Sequence, residues 1–240
     1  GSYGGPEFRS REAAPAACSR VSEESGMPID EYLWFDDAPE SSAPASHGVA
    51  AALEQGAEAG WQFLRAAREA TYVRRTNLDT EAAVIELASS VPALDADAFA
   101  AALDAGPEMP DVSDAAGVHG VEDAGGRPSL PTVVVRGDAS DRGHSGFADA
   151  ATLEHLVETA TGTAPERPSL PVPEAVERFS AEGWVAPIEL SALAGVSYDD
   201  AVDAARDAEA VVERSFASEP FFRSAASVEE SESSDDADPE

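Results

Sequence analysis

The segment Arg127-Pro-Ser-Leu-Pro-Thr-Val-Val-Val-Arg136 constrains the fold of this chain more than any other. In it, Leu130 and Pro131 are followed directly by Thr132 and three valines. A β-branched run of this kind is typical of a strand, and X-Pro bonds are the peptide bonds that adopt the cis form in folded proteins. We therefore predict a cis bond between Leu130 and Pro131, followed at once by a β-strand.

Helical patterns precede this segment. Apolar residues recur at i, i+3 and i+4 steps across residues 45–105, which predicts four helices. Either Asp79 or Thr80 caps the third helix, and Asp95 caps the fourth. On the second helix, Trp61 is predicted to point into a core.

Two more elements are predicted after the strand. Residues 144–147 follow a turn-rich stretch and can return as the second strand of a hairpin. Asp149 then stands where an N-cap is expected, so a closing helix is predicted after it. A short helix over residues 111–117 has weaker support.

A helical block followed by a proline-led hairpin and a closing helix resembles the C-terminal half of a DsbA-type protein, in which a helical subdomain is inserted into a thioredoxin fold. The resemblance covers about Ser25 to Thr161. It is carried by Ser25-Gly-Met-Pro-Ile-Asp30, by the helical block and by Ser129-Leu-Pro-Thr132. It points to the FrnE-like branch, of a haloarchaeal type, whose members are cytosolic thiol–disulfide oxidoreductases or isomerases. The resemblance implies an α/β, thioredoxin-like fold with an inserted helical subdomain.

In this family the cis-proline faces a Cys-x-x-Cys pair. The resemblance thus implies that Leu130, Pro131 and Thr132 bind the substrate, but it supplies no catalytic residue, because Cys18 is the only cysteine. The roughly 25 residues before Ser25 are too few for the strand, the Cys-x-x-Cys helix and the second strand that the family requires. Either the chain is truncated or it has diverged beyond redox use, and truncation is the favoured explanation.

Three functions remain open at this point. The leading hypothesis is a DsbA-type thiol–disulfide oxidoreductase, or a C-terminal fragment of one, that acts on proteins or on small thiols and disulfides. The alternatives are a redox-inactive thioredoxin-like scaffold for protein interaction and a glutathione-dependent isomerase of the same superfamily. No cofactor is predicted for any of them, and the oligomeric state is left open.

The remaining reactive side chains suggest structural roles. Cys18 has one nearby arginine and no neighbouring histidine, so it is interpreted as an incidental free thiol. The four histidines are scattered and lack metal-ligand spacing, so no metal site is predicted. The arginines of the second helix have acidic neighbours, so we expect structural ion pairs. They are Arg65, Arg68, Arg74 and Arg75.

Charge narrows the choice of partners. The chain has 47 acidic and 15 basic residues, a net charge of -32, and every basic residue is arginine. This composition predicts a protein adapted to molar salt, and it argues against nucleic acids and anionic membranes as partners, because phosphate binding needs clustered cations. No signal peptide or membrane-spanning run is evident, so a cytoplasmic location is predicted.

Composition also suggests domain boundaries. Residues 1–26 are predicted to form a loop or poorly ordered lead-in, and 27–161 the DsbA-like region. A proline-rich linker at 162–173 leads to a small helical module at 174–216. Residues 224–240 are predicted to be a disordered tail, since seven of the last twelve residues are acidic.

The C-terminal module has the spacing of a helix-turn-helix. Its last helix, predicted over Tyr198–Arg214, begins with Asp199, Asp200 and Asp203. A DNA-reading helix presents cations instead. A role in packing or in protein interaction is therefore predicted for this module.

Overall fold

The computed structural model describes residues 13–109, 113–122, 128–166, 169–217 and 219–228. The chain forms two compact units. The first combines Gly1–Glu108 with Pro168–Glu240, and the second is Met109–Arg167. These units divide the predicted 27–161 region in two, because Met27 and Val73 pack in one apolar cluster with residues of the C-terminal module and Arg65 pairs with Glu189.

The first part of unit 1 is helical. Its elements are α1 (Ala14–Ser25), α2 (Leu33–Asp36), α3 (Ala43–Glu54), α4 (Ala57–Tyr72), α5 (Glu81–Ser89) and α6 (Ala96–Ala105). The four helices predicted between residues 45 and 105 are therefore confirmed as α3 to α6. Thr80 caps α5 and Asp95 caps α6, because each side chain accepts a hydrogen bond from the backbone N–H three residues on.

The core of this block is aromatic and aliphatic. The rings of Phe63 and Phe99 lie 5.1 Å apart, and Val84 packs beside them, fully buried. Helix α3 approaches closely through Gly48, where a β-carbon would lie 2.8 Å from atoms of both Phe63 and Val84. A larger residue at this position would force α3 away from α4 and α5.

Helix α1 corrects the prediction of a loop over residues 1–26. Pro15 stands in its first turn, and Gly26, at φ 69°, ends it in the left-handed conformation. Its buried face packs on α2 through Ala14 and Cys18. Because these side chains are small, they contribute little to a pattern of apolar residues at helical spacing. Residues 1–12 lie outside the described part of the chain.

The C-terminal part of unit 1 is predicted to be wholly helical, but it also contains two strands. It contains α8 (Val172–Phe179), α9 (Pro187–Ala194), α10 (Tyr198–Arg206), β3 (Val211–Phe216) and β4 (Glu219–Ser224). Helices α9 and α10 form a helix-turn-helix, and the antiparallel hairpin β3–β4 follows it as a wing. Strand β4 also pairs with Val185 through Phe222.

Two predictions therefore change here. The helix predicted over Tyr198–Arg214 ends at Arg206, and the chain turns into a strand whose first residues, Val211 and Val212, are β-branched. The predicted tail begins inside an ordered element, because Ser224 is the last residue of β4 and Val228 packs on an apolar cluster. Residues 229–240 lie outside the described part of the chain.

Two apolar clusters hold the C-terminal module. One lies inside it, where Val176, Leu190 and Phe222 are fully buried. The other joins Trp184 and Phe221 to residues of the N-terminal part, which are Met27 and Val73. This second cluster explains why the two parts of unit 1 form one compact body.

Unit 2 matches the predicted pattern. It contains a 3-10 helix (Ser113–Gly117), β1 (Thr132–Val135), β2 (Arg142–Ser145) and α7 (Ala150–Thr161). The two strands are antiparallel, with Thr132 opposite Ser145. Asp149 caps α7 by accepting a hydrogen bond of 2.8 Å from the N–H of Thr152. The predicted first strand, hairpin and closing helix are confirmed, although the second strand covers Arg142–Ser145 and not residues 144–147.

Across the described ranges, every helix is too short or too polar to span a bilayer.

Candidate functional site

The loop before β1 has the predicted backbone. The peptide bond between Leu130 and Pro131 is cis. The Pro131 carbonyl accepts a hydrogen bond of 2.8 Å from the N–H of Gly146, which ties the loop to the end of the hairpin. The Thr132 hydroxyl donates to the carbonyl of Ser129 and lies 2.8 Å from the Ser145 hydroxyl. The end of the hairpin is thus connected to the loop at Pro131 and at Thr132.

Leu130 is strongly exposed in this loop. The residue is 85% exposed, although it is large and apolar. Its backbone N–H and carbonyl make no hydrogen bond with any described residue. An exposed apolar side chain beside free main-chain groups can accept an extended peptide as an additional strand. The sequence predicted the loop and its proline, but not this exposure.

Cys18 lies in the other unit and is chemically protected. It is 1% exposed and packs against Leu33 and Trp34. Burial raises the pKa of its thiol to about 11, and the nearby Glu31 carboxylate adds to the rise. Because the thiolate is the reactive form, this cysteine is a poor nucleophile near neutral pH. It is a free thiol.

The burial of Cys18 predicts slow labelling. With a pKa of about 11, only about one thiol in a thousand is ionised at pH 8. We expect dithiobis(nitrobenzoate) to react at least about 100-fold more slowly with the native protein than with the urea-unfolded chain. Absorbance of the released thionitrobenzoate measures both rates. Equal rates would show that Cys18 is accessible.

No metal centre is formed in the part of the chain that the structure describes. No group of three or more His, Cys, Asp or Glu side chains there is placed to hold an ion. His144 is engaged locally, since its Nε2 lies 3.0 Å from the carbonyl oxygen of Phe147. For the whole chain, the absence of a metal site stays a prediction.

Arg65 is the centre of an ion-pair network. Its guanidinium donates to both carboxylate oxygens of Glu189, at 2.9 and 3.0 Å, and to the carbonyl of Trp184 at 2.7 Å. It also donates to Glu69 at 3.1 Å, and Glu69 accepts a second bond from Arg74. Arg65 thereby joins α4 to α9, which confirms the structural role predicted for it.

Glu69 is the buried acid of this network. Burial raises the pKa of its carboxyl, whereas the positive charges of Arg65 and then Arg74 lower it, and the net shift is upward. Arg75 makes a separate pair with Asp30 at 2.8 Å, so it is structural too. Arg68 differs from the other three, because it makes no ion pair with any described residue.

Trp61 corrects another prediction. It was expected to face a core, but its side chain is 65% exposed. It borders a cleft together with Leu64 and Tyr72, which lie on the same face of α4. Periodicity identifies the apolar face of a helix correctly, but it does not show whether another element covers that face.

Comparisons with known proteins show that part of this chain is distantly similar to thioredoxin-like proteins. The family described as Thioredoxin matches residues 10–106, which include α1 to α6 but not the Leu130 loop. The ClpXP adapter protein SpxH of Halalkalibacterium halodurans is 35% identical over 88 residues, or 37% of this chain and 28% of that protein. SpxH of Bacillus subtilis is 32% identical over 93 residues, or 38% of this chain and 31% of that protein.

The chain thus spans less than a third of the length of either curated relative. The family match begins at residue 10 and therefore includes helix α1. The fold is mixed α/β with a thioredoxin-like domain, and the chain is distantly similar to SpxH adapter proteins.

Proposed function

We propose that this chain is a DsbA-type thiol–disulfide oxidoreductase of a salt-adapted cytosol, or a C-terminal part of one, that holds an extended substrate beside Leu130. The observation that carries this proposal is the exposed Leu130, immediately before Pro131 and β1, whose backbone N–H and carbonyl make no hydrogen bond within the described part of the chain. A substrate strand can pair with these groups while its side chains contact the leucine.

The exchange itself needs a thiolate from outside this chain. A thiolate attacks one sulfur of a substrate disulfide, the S–S bond breaks, and the departing sulfur leaves as a thiolate that takes up a proton. A second thiol then releases the resulting mixed disulfide. Cys18 is too buried and too weakly acidic to perform either step. Both thiols therefore come from a further protein segment or from a small thiol such as glutathione.

Replacing Leu130 tests the substrate role. We expect Leu130→Asp to weaken binding of carbamidomethylated insulin B chain on the order of tenfold, because one apolar contact is lost. Fluorescence anisotropy in molar KCl measures the affinity. Leu153→Asp, at an exposed leucine of α7, makes the same chemical change on the helix and should bind normally. Equal affinities for the two variants would refute the assignment.

A scaffold without redox activity is the second candidate. It is favoured by the similarity to two curated proteins named as adapters and by the burial of the sole thiol. Insulin reduction with glutathione separates the two functions. Acceleration of that reaction by the chain supports exchange, whereas client binding without acceleration supports a scaffold. Reduction of insulin by the chain alone would contradict the inert state of Cys18.

A further inference from the structure

A cleft of about 440 Å³ opens in unit 1 beside α4. Its walls are largely apolar. They include Trp61, Leu64 and Tyr72 from α4, and Trp184 and Phe221 from the C-terminal module. Ligand sites commonly have this size and combine apolar walls with a few polar groups that orient the ligand. The polar groups of this cleft therefore indicate what it can accept.

Most charges at the cleft already have partners. Glu69 and Glu189 both accept hydrogen bonds from Arg65, and Glu182 lies within electrostatic range of the same guanidinium. Arg68 also lines the cleft, but it forms no hydrogen bond or ion pair with any described residue. The side chain of Glu182 likewise makes no hydrogen bond or ion pair with a described residue, but Arg65 attracts its carboxylate, whereas no described carboxylate does the same for Arg68. Arg68 is therefore the charge at the cleft that an acidic group of an occupant would neutralise.

Arg68 is accompanied by a second unused donor. The hydroxyl of Tyr72 has no hydrogen-bond partner among the described residues either. Arg68 and Tyr72 are four residues apart on α4, so their side chains lie on one face of the helix. A guanidinium and a phenol together suit a carboxylate, which accepts several hydrogen bonds.

We propose that this cleft binds a segment of a partner protein in which an aromatic or long aliphatic residue precedes an acidic residue. The apolar side chain enters between Trp184 and Leu64, and the carboxylate pairs with Arg68. Trp61 supports a polypeptide as the occupant, because this residue lines the cleft and is 65% exposed, and a chain that continues beyond the cavity can cover it.

The net charge of the chain does not prevent this binding. At a salt concentration of about 1 M the screening length is about 3 Å, so distant acidic residues repel an acidic segment weakly. A carboxylate in direct contact with Arg68 lies within about one screening length of it, so the attraction between the two groups persists. The cleft lies in the unit that does not carry Leu130, so this inference is independent of the proposed exchange function.

A peptide series tests the proposal. The probes are hexapeptides of the form acetyl-Gly-Ser-X-Asp-Ser-Gly-amide, with every amino acid at X, and a second series has Asn in place of Asp. Titrations follow tryptophan fluorescence at the lowest salt concentration at which the protein stays folded. We expect binding when X is Phe, Trp, Leu or Met, and affinity about tenfold lower for the Asn peptides.

Variants locate the contact. Arg68→Gln should lose about tenfold in affinity for the Asp peptides and nothing for the Asn peptides, because only the former present a carboxylate. Arg20→Gln, at an exposed arginine of α1, changes the net charge equally and should bind as wild type does. Trp61→Ala should weaken both series.

Four results would overturn the proposal. They are no binding by any peptide of either series, equal affinity for Asp and Asn peptides, an Arg68→Gln variant that binds like wild type, and competition by free 3-phenylpropionate at the same concentration as the best peptide. The last result would show that the cleft binds a small carboxylate and not a protein segment. Circular dichroism confirms that each variant is folded.

Discussion

Lowering the KCl concentration from about 1 M to about 0.01 M is expected to lower the melting temperature of this protein by roughly 10–20 °C. The net charge of -32 repels itself more strongly as the screening length grows from about 3 to about 30 Å. A loss of about 5 kcal/mol, comparable to the whole stability of many small proteins, produces a shift of that size. Thermal circular dichroism over a salt series measures it.

Two controls separate charge repulsion from other effects of salt. Sucrose strengthens apolar burial without screening charges, so it should not replace KCl. A triple variant with glutamine at Glu54, Glu86 and Glu177, all exposed, should melt higher than wild type at low salt and depend less on KCl. A melting temperature independent of salt would contradict adaptation to a salty interior.

Replacing Arg65 by alanine is expected to cost on the order of 3 kcal/mol in the free energy of unfolding. The substitution removes both bonds to Glu189 and the bond to the Trp184 carbonyl, and it leaves Glu69 buried with less compensation. Urea denaturation in molar KCl measures the loss. The expected loss is larger than that for an exposed ion pair because the network is partly out of water.

Arg206→Ala is the matched control. Arg206 also donates two hydrogen bonds to one carboxylate, that of Glu213, at 2.8 and 2.9 Å. Both side chains are more exposed than those of the Arg65–Glu189 pair, at 50% for Arg206 and 35% for Glu213, so a much smaller loss is expected. If Arg65→Ala destabilises the protein no more than Arg206→Ala does, Arg65 does not hold α9 against α4.

The cost of Arg65→Ala should also depend on pH. Since burial raises the pKa of Glu69 and Arg65 lowers it, removing Arg65 raises this pKa further. A carboxyl whose pKa is raised by folding favours the folded state when protonated, and that contribution is lost as pH rises through the folded-state pKa. The difference between variant and wild type should therefore be largest near neutral pH and shrink in acid. A difference constant with pH would contradict this role for Glu69.

Local signals in the sequence predicted much of the fold. The four helices of the block, the caps at Asp95 and Asp149, and the hairpin after Pro131 all depend on residues close together in the chain. Helix α1 escaped prediction because its buried side chains are small. Strand β3 escaped because its start, after a run of aspartate, alanine and glutamate, also fits a helix.

The features that define the two candidate sites had no local signal. The exposure of Leu130 depends on what the rest of unit 2 leaves uncovered. The cleft beside Trp61 depends on where the C-terminal module packs against α4. Glu189, the partner of Arg65, is 124 residues away in the chain. Local patterns indicated these residues but not their distant neighbours.

The separation between Arg65 and Glu189 also has a consequence during translation. At about 5–20 residues per second, the ribosome needs roughly 6 to 25 s to add the 124 residues between them. During that interval the nascent helices α3 to α6 can pack on Phe63, while Val73 and the Arg65 side of α4 remain uncovered. Chaperones bind uncovered apolar residues, and Val73 is one until β4 emerges and Phe221 packs in the same cluster.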